Sequence, residues 1–233
     1  MPLDYTTIKD RLDACGQGHV LGGYAELDTL GQANFLAQLS RIAWEAMPAL
    51  VEQHVKQEHA EVPELEISPA QVTIADEDTA AELASRGEDI IRSGRVAAFT
   101  VAGGQGTRLG WSGPKGTYPA TPVNGKPLFR VFAEQIEAAS RKWNTPIPWY
   151  IMTSEANDAA TRSFFADNNW FGLPRTQVML FPQGMMPCLD ASSGQVLLES
   201  PGRVAMSPDG HGGSLAALRH SGAIEQMGML GVD

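Results

Sequence analysis

One short segment concentrates residue types that can bind an anion. It reads Ala102-Gly103-Gly104-Gln105-Gly106-Thr107-Arg108-Leu109-Gly110, and Pro114-Lys115-Gly116 follows it closely. Three glycines in four positions remove Cβ atoms and permit positive φ, so backbone amides can approach an anion. Arg108 and Lys115 add positive charge beside those amides. The pattern predicts a phosphate site. The alternative is a tight turn that binds nothing.

Two familiar phosphate loops do not match this segment. A Walker loop ends in Gly-Lys-Ser/Thr, whereas Lys115 lies between Pro114 and Gly116. A dinucleotide fingerprint has a third glycine three positions after Gly106, but Leu109 occupies that position. It also has an acidic residue about 20 positions further on, where this sequence offers none. A phosphate site here would therefore be of another kind.

Alternating strands and helices surround the loop. The apolar run at 96–101 predicts a strand directly before it. Further along the chain we predict helices at 128–142 and 155–167, with Ser154 as a cap, and strands at 148–153 and 177–181. Strands alternating with helices of this length indicate a parallel sheet in an α/β fold. Because ligands of such sheets bind at the carboxyl ends of the strands, the loop follows its strand at an expected ligand position.

The rest of the chain predicts a second type of organisation. Residues 1–94 are expected to form a helical N-terminal segment, and residues 95–233 the α/β domain. Helical spacing predicts a helix at 29–57 that Pro48 kinks or splits, and another at 78–92. A loop containing Pro63 and Pro69 separates these helices. Turn residues predict short antiparallel strands between Cys188 and Met206, and a last helix is expected at 214–229.

Composition excludes several classes of protein. The 233 residues carry a net charge of −10, which argues against nucleic-acid binding by general charge neutralisation. Two cysteines, Cys15 and Cys188, are too few for a disulfide framework or a zinc site. No apolar run reaches the roughly 18 residues of a membrane span, and the N-terminus shows no secretory signal. A cytoplasmic globular protein is therefore expected.

Several motifs, in order along the chain, resemble those of the UDP-sugar pyrophosphorylases. The likeness is strongest to the eukaryotic-type UDP-N-acetylhexosamine branch. The motifs are the glycine loop with Pro114-Lys115-Gly116, Lys126-Pro127-Leu128-Phe129, Pro148-Trp149-Tyr150-Ile151-Met152-Thr153-Ser154, Phe181-Pro182-Gln183-Gly184-Met185-Met186-Pro187 and Ser207-Pro208-Asp209-Gly210-His211-Gly212-Gly213. The resemblance implies a Rossmann-like, mixed-sheet (GT-A-like) nucleotidyltransferase domain, of which this chain resembles the N-terminal part.

The resemblance also implies an activity and a site. Family members join UTP and a sugar 1-phosphate, here N-acetylglucosamine 1-phosphate, and release pyrophosphate with the help of Mg²⁺. Carried over, Arg108 and Lys115 act on the phosphates and are the catalytic residues, while Gln183 and Gly210 face the uracil. Nucleotide-binding positions in the loop are Val101, Ala102, Gly103, Gly104, Gln105, Gly106 and Thr107. His211 takes a sugar-contacting position, and the metal ligand is expected beyond residue 233.

Alternatives stay open at this point. The acetylhexosamine branch has asparagine at the position of His211, whereas the glucose branch has a Gly-His-Gly element, so glucose 1-phosphate is the alternative substrate. The chain could also bind nucleotide without turnover, or transfer phosphate from ATP. Considered without the resemblance, Gln183 could tie down a loop, His211 could occupy a turn and Asp209 could cap one.

Overall fold

The computed structural model describes residues 3–56, 68–72, 74 and 76–232. Pro63 and Asp233 lie outside them, as does Gln57, the last residue of the first predicted helix. The chain divides into two compact units, Met1–Ala70 with Met185–Ser207, and Gln71–Gly184 with Pro208–Asp233. This division differs from the single boundary expected at residue 94. Within the described ranges, no helix is long and apolar enough to span a membrane.

The helices and strands follow the chain in this order. Helices are α1 (Tyr5–Ala14), α2 (Thr29–Leu39), α3 (Met47–Val51), α4 (Glu77–Arg92), α5 (Leu128–Trp143), α6 (Glu155–Asp167), α7 (Ser214–His220) and α8 (Ala223–Leu230). Strands are β1 (Ala98–Val101), β2 (Trp149–Thr153), β3 (Val178–Pro182), β4 (Met185–Pro187), β5 (Leu198–Ser200), β6 (Arg203–Val204) and β7 (Met206–Pro208). Single turns of 3₁₀-helix occur in several connections, and a π-helical turn follows α3.

The second unit contains the predicted parallel sheet. Its order is β1-β2-β3, so β2 is central, and both pairings are parallel. Side chains alternate across β2, and both faces are buried. Trp149 and Ile151 belong to a core with α5 and α6, while Tyr150 and Met152 belong to one with α7 and α8. The α/β expectation is confirmed.

Local signals placed most helix ends correctly. Asp76 caps α4 through its side chain, and Gly94 follows the helix with a φ of 76°. Ser154 does stand at the N-cap of α6, but its side chain makes no capping hydrogen bond there. The last predicted helix is wrong as one element. It is two helices, α7 and α8, because Gly222 adopts a left-handed conformation with a φ of 78° between them.

The first unit packs α1, α2 and α3 around Phe35, Leu39 and Trp44. The predicted helix at 29–57 is split, as expected, but the break precedes the proline. α2 ends at Leu39, and Pro48 lies in the first turn of α3, where its missing N–H removes no intrahelical bond. The antiparallel pair β5–β6 in this unit confirms the short strands predicted between Cys188 and Met206.

Two glutamine side chains help to hold residues 185–207 to the first unit, to whose buried core Val196 and Val204 also belong. Gln17 is 5% exposed, donates to Gly194 O at 3.1 Å and accepts from Val196 N at 2.9 Å. Gln38 similarly donates to the carbonyl of Val204 and accepts from its N–H. Each amide thus supplies a donor and an acceptor to backbone that would otherwise lose water without replacement. These long-range contacts have no local sequence signal.

Candidate functional site

The site lies where the three parallel strands of the second unit end. The N–H of Ala102 donates to Met152 O at 2.7 Å, and the N–H of Gln183 donates to Thr153 O at 2.8 Å. These bonds continue the sheet ladder one residue past β1 and β3. The glycine loop and Gln183 therefore leave the sheet on either side of the end of β2. This is the strand edge at which α/β proteins bind ligands.

The loop folds back on itself as a short hairpin. Lys115 N–H donates to Gly104 O at 3.0 Å, and Gly106 N–H donates to Gly113 O at 2.9 Å. Trp111 lies over Gly106, so a methyl group at Gly106 would come within 2.9 Å of the Trp111 side chain. The indole Nε1 in turn donates to Thr117 Oγ1 at 2.9 Å. The glycine at position 106 is thus required by packing, and Trp111 closes the loop.

The hairpin leaves a run of backbone donors unpaired. Within the described part of the chain, the N–H groups of Gly103, Gly104 and Gln105 have no hydrogen-bond acceptor. Successive unpaired amides form a concave anion site. Lys115 Nζ lies 3.8 Å from a methyl position on Gly104. The arrangement supports phosphate binding at the loop.

Both predicted catalytic cations are available for a ligand. Arg108 lies in the 3₁₀ turn Thr107–Leu109, and Lys115 opens the turn Lys115–Thr117. Both are exposed, and neither forms an ion pair with any acidic residue that the structure describes. Because no carboxylate competes for them, both cations can form charge-assisted hydrogen bonds with a bound anion. The two therefore add to the attraction of the free amides.

Gln183 lies against the loop. A methyl group at Gly103 would be 3.2 Å from both Nε2 and Oε1 of Gln183. The amide therefore packs on the glycine backbone instead of turning into the core. Because it carries both a donor and an acceptor, it is equipped to read the edge of a base. The structure brings this predicted residue to the loop, 80 positions earlier in the chain.

The segment after β7 contacts the residue that follows Gln183. Asp209 N–H donates to Gly184 O at 3.2 Å. Gly210 has φ 68° and ψ −158°, a conformation open essentially to glycine alone. His211 follows it, exposed, in the single turn His211–Gly213 before α7. The predicted uracil and sugar positions are thus adjacent in space to the Gln183 segment.

Two carboxylates lie at this end of the sheet, and they differ in their hydrogen bonding. Asp158 accepts from Thr153 Oγ1 at 2.7 Å and pairs with Arg162 at 2.6 Å. Burial acts to raise the pKa of Asp158, but the bonds from Arg162 and Thr153 outweigh it, so this pKa lies below the ordinary carboxyl value. Asp209 is enclosed between Gly184 and Gly213, and its Oδ1 is buried with no partner among the described residues.

The part of the chain that the structure describes contains no group of three or more His, Cys, Asp or Glu side chains that could hold a metal ion. Magnesium held mainly by substrate phosphates needs only one or two carboxylates, so this finding concerns an all-protein metal cage alone. We route no step of the reaction through a metal.

Most of the chain matches the model of a known protein family. A family model described as UTP–glucose-1-phosphate uridylyltransferase matches residues 43–233, most of the chain. This chain belongs to the UDP-sugar pyrophosphorylase family. The resemblance seen in the motifs is thereby confirmed.

Curated relatives of this pyrophosphorylase-family chain carry related names. A Saccharomyces cerevisiae "UDP-N-acetylglucosamine pyrophosphorylase" is 32% identical over 242 residues, covering 97% of this chain and 51% of the relative. A Schizosaccharomyces pombe "Probable UDP-N-acetylglucosamine pyrophosphorylase" is 42% identical over 151 residues, covering 61% of this chain and 32% of the relative. The chain spans about half, or less, of the length of the curated relatives it matches.

Solved structures of pyrophosphorylases show the same fold. The uridine diphosphate N-acetylglucosamine pyrophosphorylase of Trypanosoma brucei aligns with a TM-score of 0.72 at 28% identity, over 97% of this chain and 49% of that one. A UDP-glucose pyrophosphorylase of Leishmania major aligns with a TM-score of 0.58 at 18% identity, over 98% and 43%. The second likeness concerns the fold alone. The nucleotidyltransferase α/β fold expected from the sequence is confirmed.

Two features of the candidate site were not predicted from the sequence. The first is Trp111, whose packing on Gly106 shapes the turn. Asn157 on α6 was not considered, yet its Nδ2 donates to Gly103 O at 2.9 Å and Gly104 O at 3.1 Å. The available signal was positional: Asn157 lies in the first turn of the helix that leaves β2, and ligand sites gather at strand ends.

Proposed function

We propose that this protein is a uridylyltransferase that makes UDP-N-acetylglucosamine and pyrophosphate from UTP and N-acetylglucosamine 1-phosphate. The supporting observation is the run of amides at 103–105 that have no acceptor among the described residues. Lys115 and Arg108 flank these amides, and Gln183 lies against them. The names of the relatives add the choice of sugar. Because the chain spans about half, or less, of the length of these relatives, the activity of the whole enzyme is part of the proposal.

The chemistry asked of these residues is positioning and charge stabilisation. An oxygen of the sugar 1-phosphate attacks the α-phosphorus of UTP, and pyrophosphate departs on the opposite side. Lys115 stabilises charge on the α-phosphate, and Arg108 does so on the departing pyrophosphate. The loop amides hold the phosphates in line, while Gln183 and Gly210 hold the uracil. No protein nucleophile is required.

Mg²⁺ enters this proposal only as a companion of the substrate. In its usual sites it keeps several waters and binds substrate phosphates beside one or two carboxylates. We propose that it arrives bound to UTP. Loss of turnover on chelation with EDTA checks that the divalent cation is required. The cytoplasmic location stays a prediction from composition.

The experiment is a pyrophosphate-release assay with UTP and N-acetylglucosamine 1-phosphate. Lys115→Ala is expected to lower turnover by at least about 100-fold, the scale of losing one transition-state charge partner. Its melting temperature is expected to stay unchanged because the exposed side chain has no partner in the described structure. The matched control is Lys142→Ala, another exposed lysine, on the last turn of α5. Equal turnover of the two variants would refute the assignment.

One observation favours a second substrate. His211 matches the Gly-His-Gly element of the glucose branch, and the matching family model is described by glucose 1-phosphate. The same assay with glucose 1-phosphate separates the candidates. Nucleotide binding by calorimetry, without pyrophosphate release with either sugar phosphate, would instead favour the binding module without turnover. A preference for ATP over UTP would favour the phosphotransferase.

A further inference from the structure

Asn157 is the one side chain on α6 that bonds the glycine loop in the described structure. It is 1% exposed, and its Nδ2 donates to Gly103 O and Gly104 O. Gly104 O also accepts from Lys115 N–H at 3.0 Å, whereas Gly103 O has no second donor in the described ranges. A buried amide thus supplies the loop with two of its anchoring hydrogen bonds.

Because a peptide unit is planar, the direction of each of these carbonyls also fixes the direction of the N–H group in the same peptide. In a planar trans peptide the C=O and N–H groups point in opposite directions. Gly103 C=O shares its peptide with Gly104 N–H, and Gly104 C=O shares its peptide with Gln105 N–H. When both carbonyls point towards Asn157, both amides point away from it. These are two of the three unpaired amides of the candidate phosphate site.

The orientation of the Asn157 amide is set by the same contacts. If the group were flipped, Oδ1 would face two carbonyl oxygens, and no proton would lie between them. Oδ1 therefore points the other way, where it is buried without a donor among the described residues. A buried polar atom left unpaired is unfavourable. That this arrangement is kept indicates that the two bonds to the loop matter.

We propose that Asn157 is a positioning residue for nucleotide binding, which holds the Gly104 and Gln105 amides towards the phosphates of the substrate. This inference rests on the proposed function and adds a residue to it. Asn157 does not itself touch the ligand. It acts through the loop, from a helix whose first turn follows the central strand.

Hydrogen exchange of the free protein tests the loop without any ligand. Asn157→Ser keeps a small polar side chain that is too short to reach the loop carbonyls. Asn157→Asp keeps the shape of the side chain but removes its N–H donors. Both are expected to raise exchange in the peptide covering 101–110. The control is Asn168→Ala, which removes an exposed amide-to-carbonyl bond at the far end of the same helix. It is expected to leave that peptide unchanged.

Binding separates positioning from a general loss of stability. Losing the amide alignment is expected to weaken UTP binding about tenfold, which corresponds to one hydrogen bond of ordinary strength. UMP binding is expected to change much less, because UMP carries a single phosphate. A lower ratio of UTP to UMP affinity in Asn157→Ser supports the role. An equal loss for both nucleotides, or unchanged loop exchange, overturns it.

The two proposals fail in different ways. If the wild-type protein binds neither nucleotide, the proposed function is wrong, and the exchange experiment still reports whether Asn157 orders the loop. If the wild-type protein binds UTP and both Asn157 variants bind it equally well, only the positioning role is wrong. Should Asn157→Asp fail to fold because of its buried charge, Asn157→Ser carries the test.

Discussion

Gly106→Ala is expected to disturb the phosphate loop, whereas Gly104→Ala in the same loop is not. A methyl group at Gly106 would lie 2.8 Å from Trp111 Cβ, 2.9 Å from Trp111 Cδ1 and 3.1 Å from Trp111 O. Gly106 has a φ of −82°, so alanine meets no backbone strain there. The predicted effect is therefore one of packing alone. At Gly104 the closest atoms are Lys115 Cε and Nζ, at 3.8 Å.

The size of the effect follows from those distances. Carbon atoms pack best at about 3.5 to 4.0 Å, so the methyl group is about 0.7 Å too close to Trp111 Cβ. Trp111 cannot easily retreat, since its Nε1 is bonded to Thr117 and its N–H donates to Gly106 O at 3.2 Å. Overpacking of this kind costs about 1–3 kcal/mol. The Gly104 contact is ordinary, and its cost is expected to stay within about 0.5 kcal/mol.

Thermal unfolding by calorimetry and UTP titration are the assays. A loss of about 2 kcal/mol lowers the melting temperature of a chain this long by roughly 4–8 °C. UTP affinity is expected to fall together with the melting temperature, because the Gly106–Gly113 bond and the Lys115–Gly104 bond join the two arms of the same hairpin. Gly104→Ala is the control for thermal unfolding only, because Gly104 is itself a predicted nucleotide-binding position. Equal melting temperatures for the two variants would show that Trp111 does not define the turn.

Two further predictions concern stability. Asp158→Asn is expected to destabilise the protein at pH 7, because the pKa of Asp158 is lower in the folded state than in the unfolded state. The contribution of Asp158 to the free energy of unfolding is therefore present above the unfolded-state pKa of about 4 and is lost as the pH falls through the folded-state pKa. Urea unfolding at pH 7 and pH 3 checks this, and a constant difference contradicts it. Gln17→Leu is expected to cost about 2 kcal/mol by leaving two buried backbone groups unpaired. Gln38→Leu, at a less buried amide, is expected to cost less, and the reverse order in denaturant titrations contradicts the burial argument.

Local patterns predicted the second unit well. The runs at 96–101, 148–153 and 177–181 became β1, β2 and β3 within two residues at each end. These predictions succeed because the hydrophobic pattern that indicates a strand or a helix is carried by residues close together in the sequence. Errors arose where one backbone conformation decides the outcome. Gly222 ends α7 because it adopts positive φ, and from the sequence alone it reads as an acceptable helix residue.

The sequence predicted which residues belong to the candidate site better than it predicted the contacts that hold them in place. Arg108, Lys115 and Gln183 could be named from motifs, and the structure brings Lys115 and Gln183 to the glycine loop. Their individual roles stay predictions. The supporting contacts of Trp111 and Asn157 were not predictable, because residue type alone does not say which carbonyl a buried amide will meet. Such contacts depend on which elements become neighbours.

The sequence by itself determined the class of the fold, the family and the glycine loop with its two cations, since these are carried by residues close together in the chain. Only the tertiary structure decided that residues 185–207 join the N-terminal unit, through Gln17 and Gln38. It alone also showed that three loop amides have no acceptor among the described residues, and that Asn157 bonds two carbonyls of the loop. The physical reason is the same in both cases. A buried polar group needs a hydrogen-bond partner, and in both cases that partner is distant in the sequence, so the residues next to it along the chain do not indicate which partner it will have.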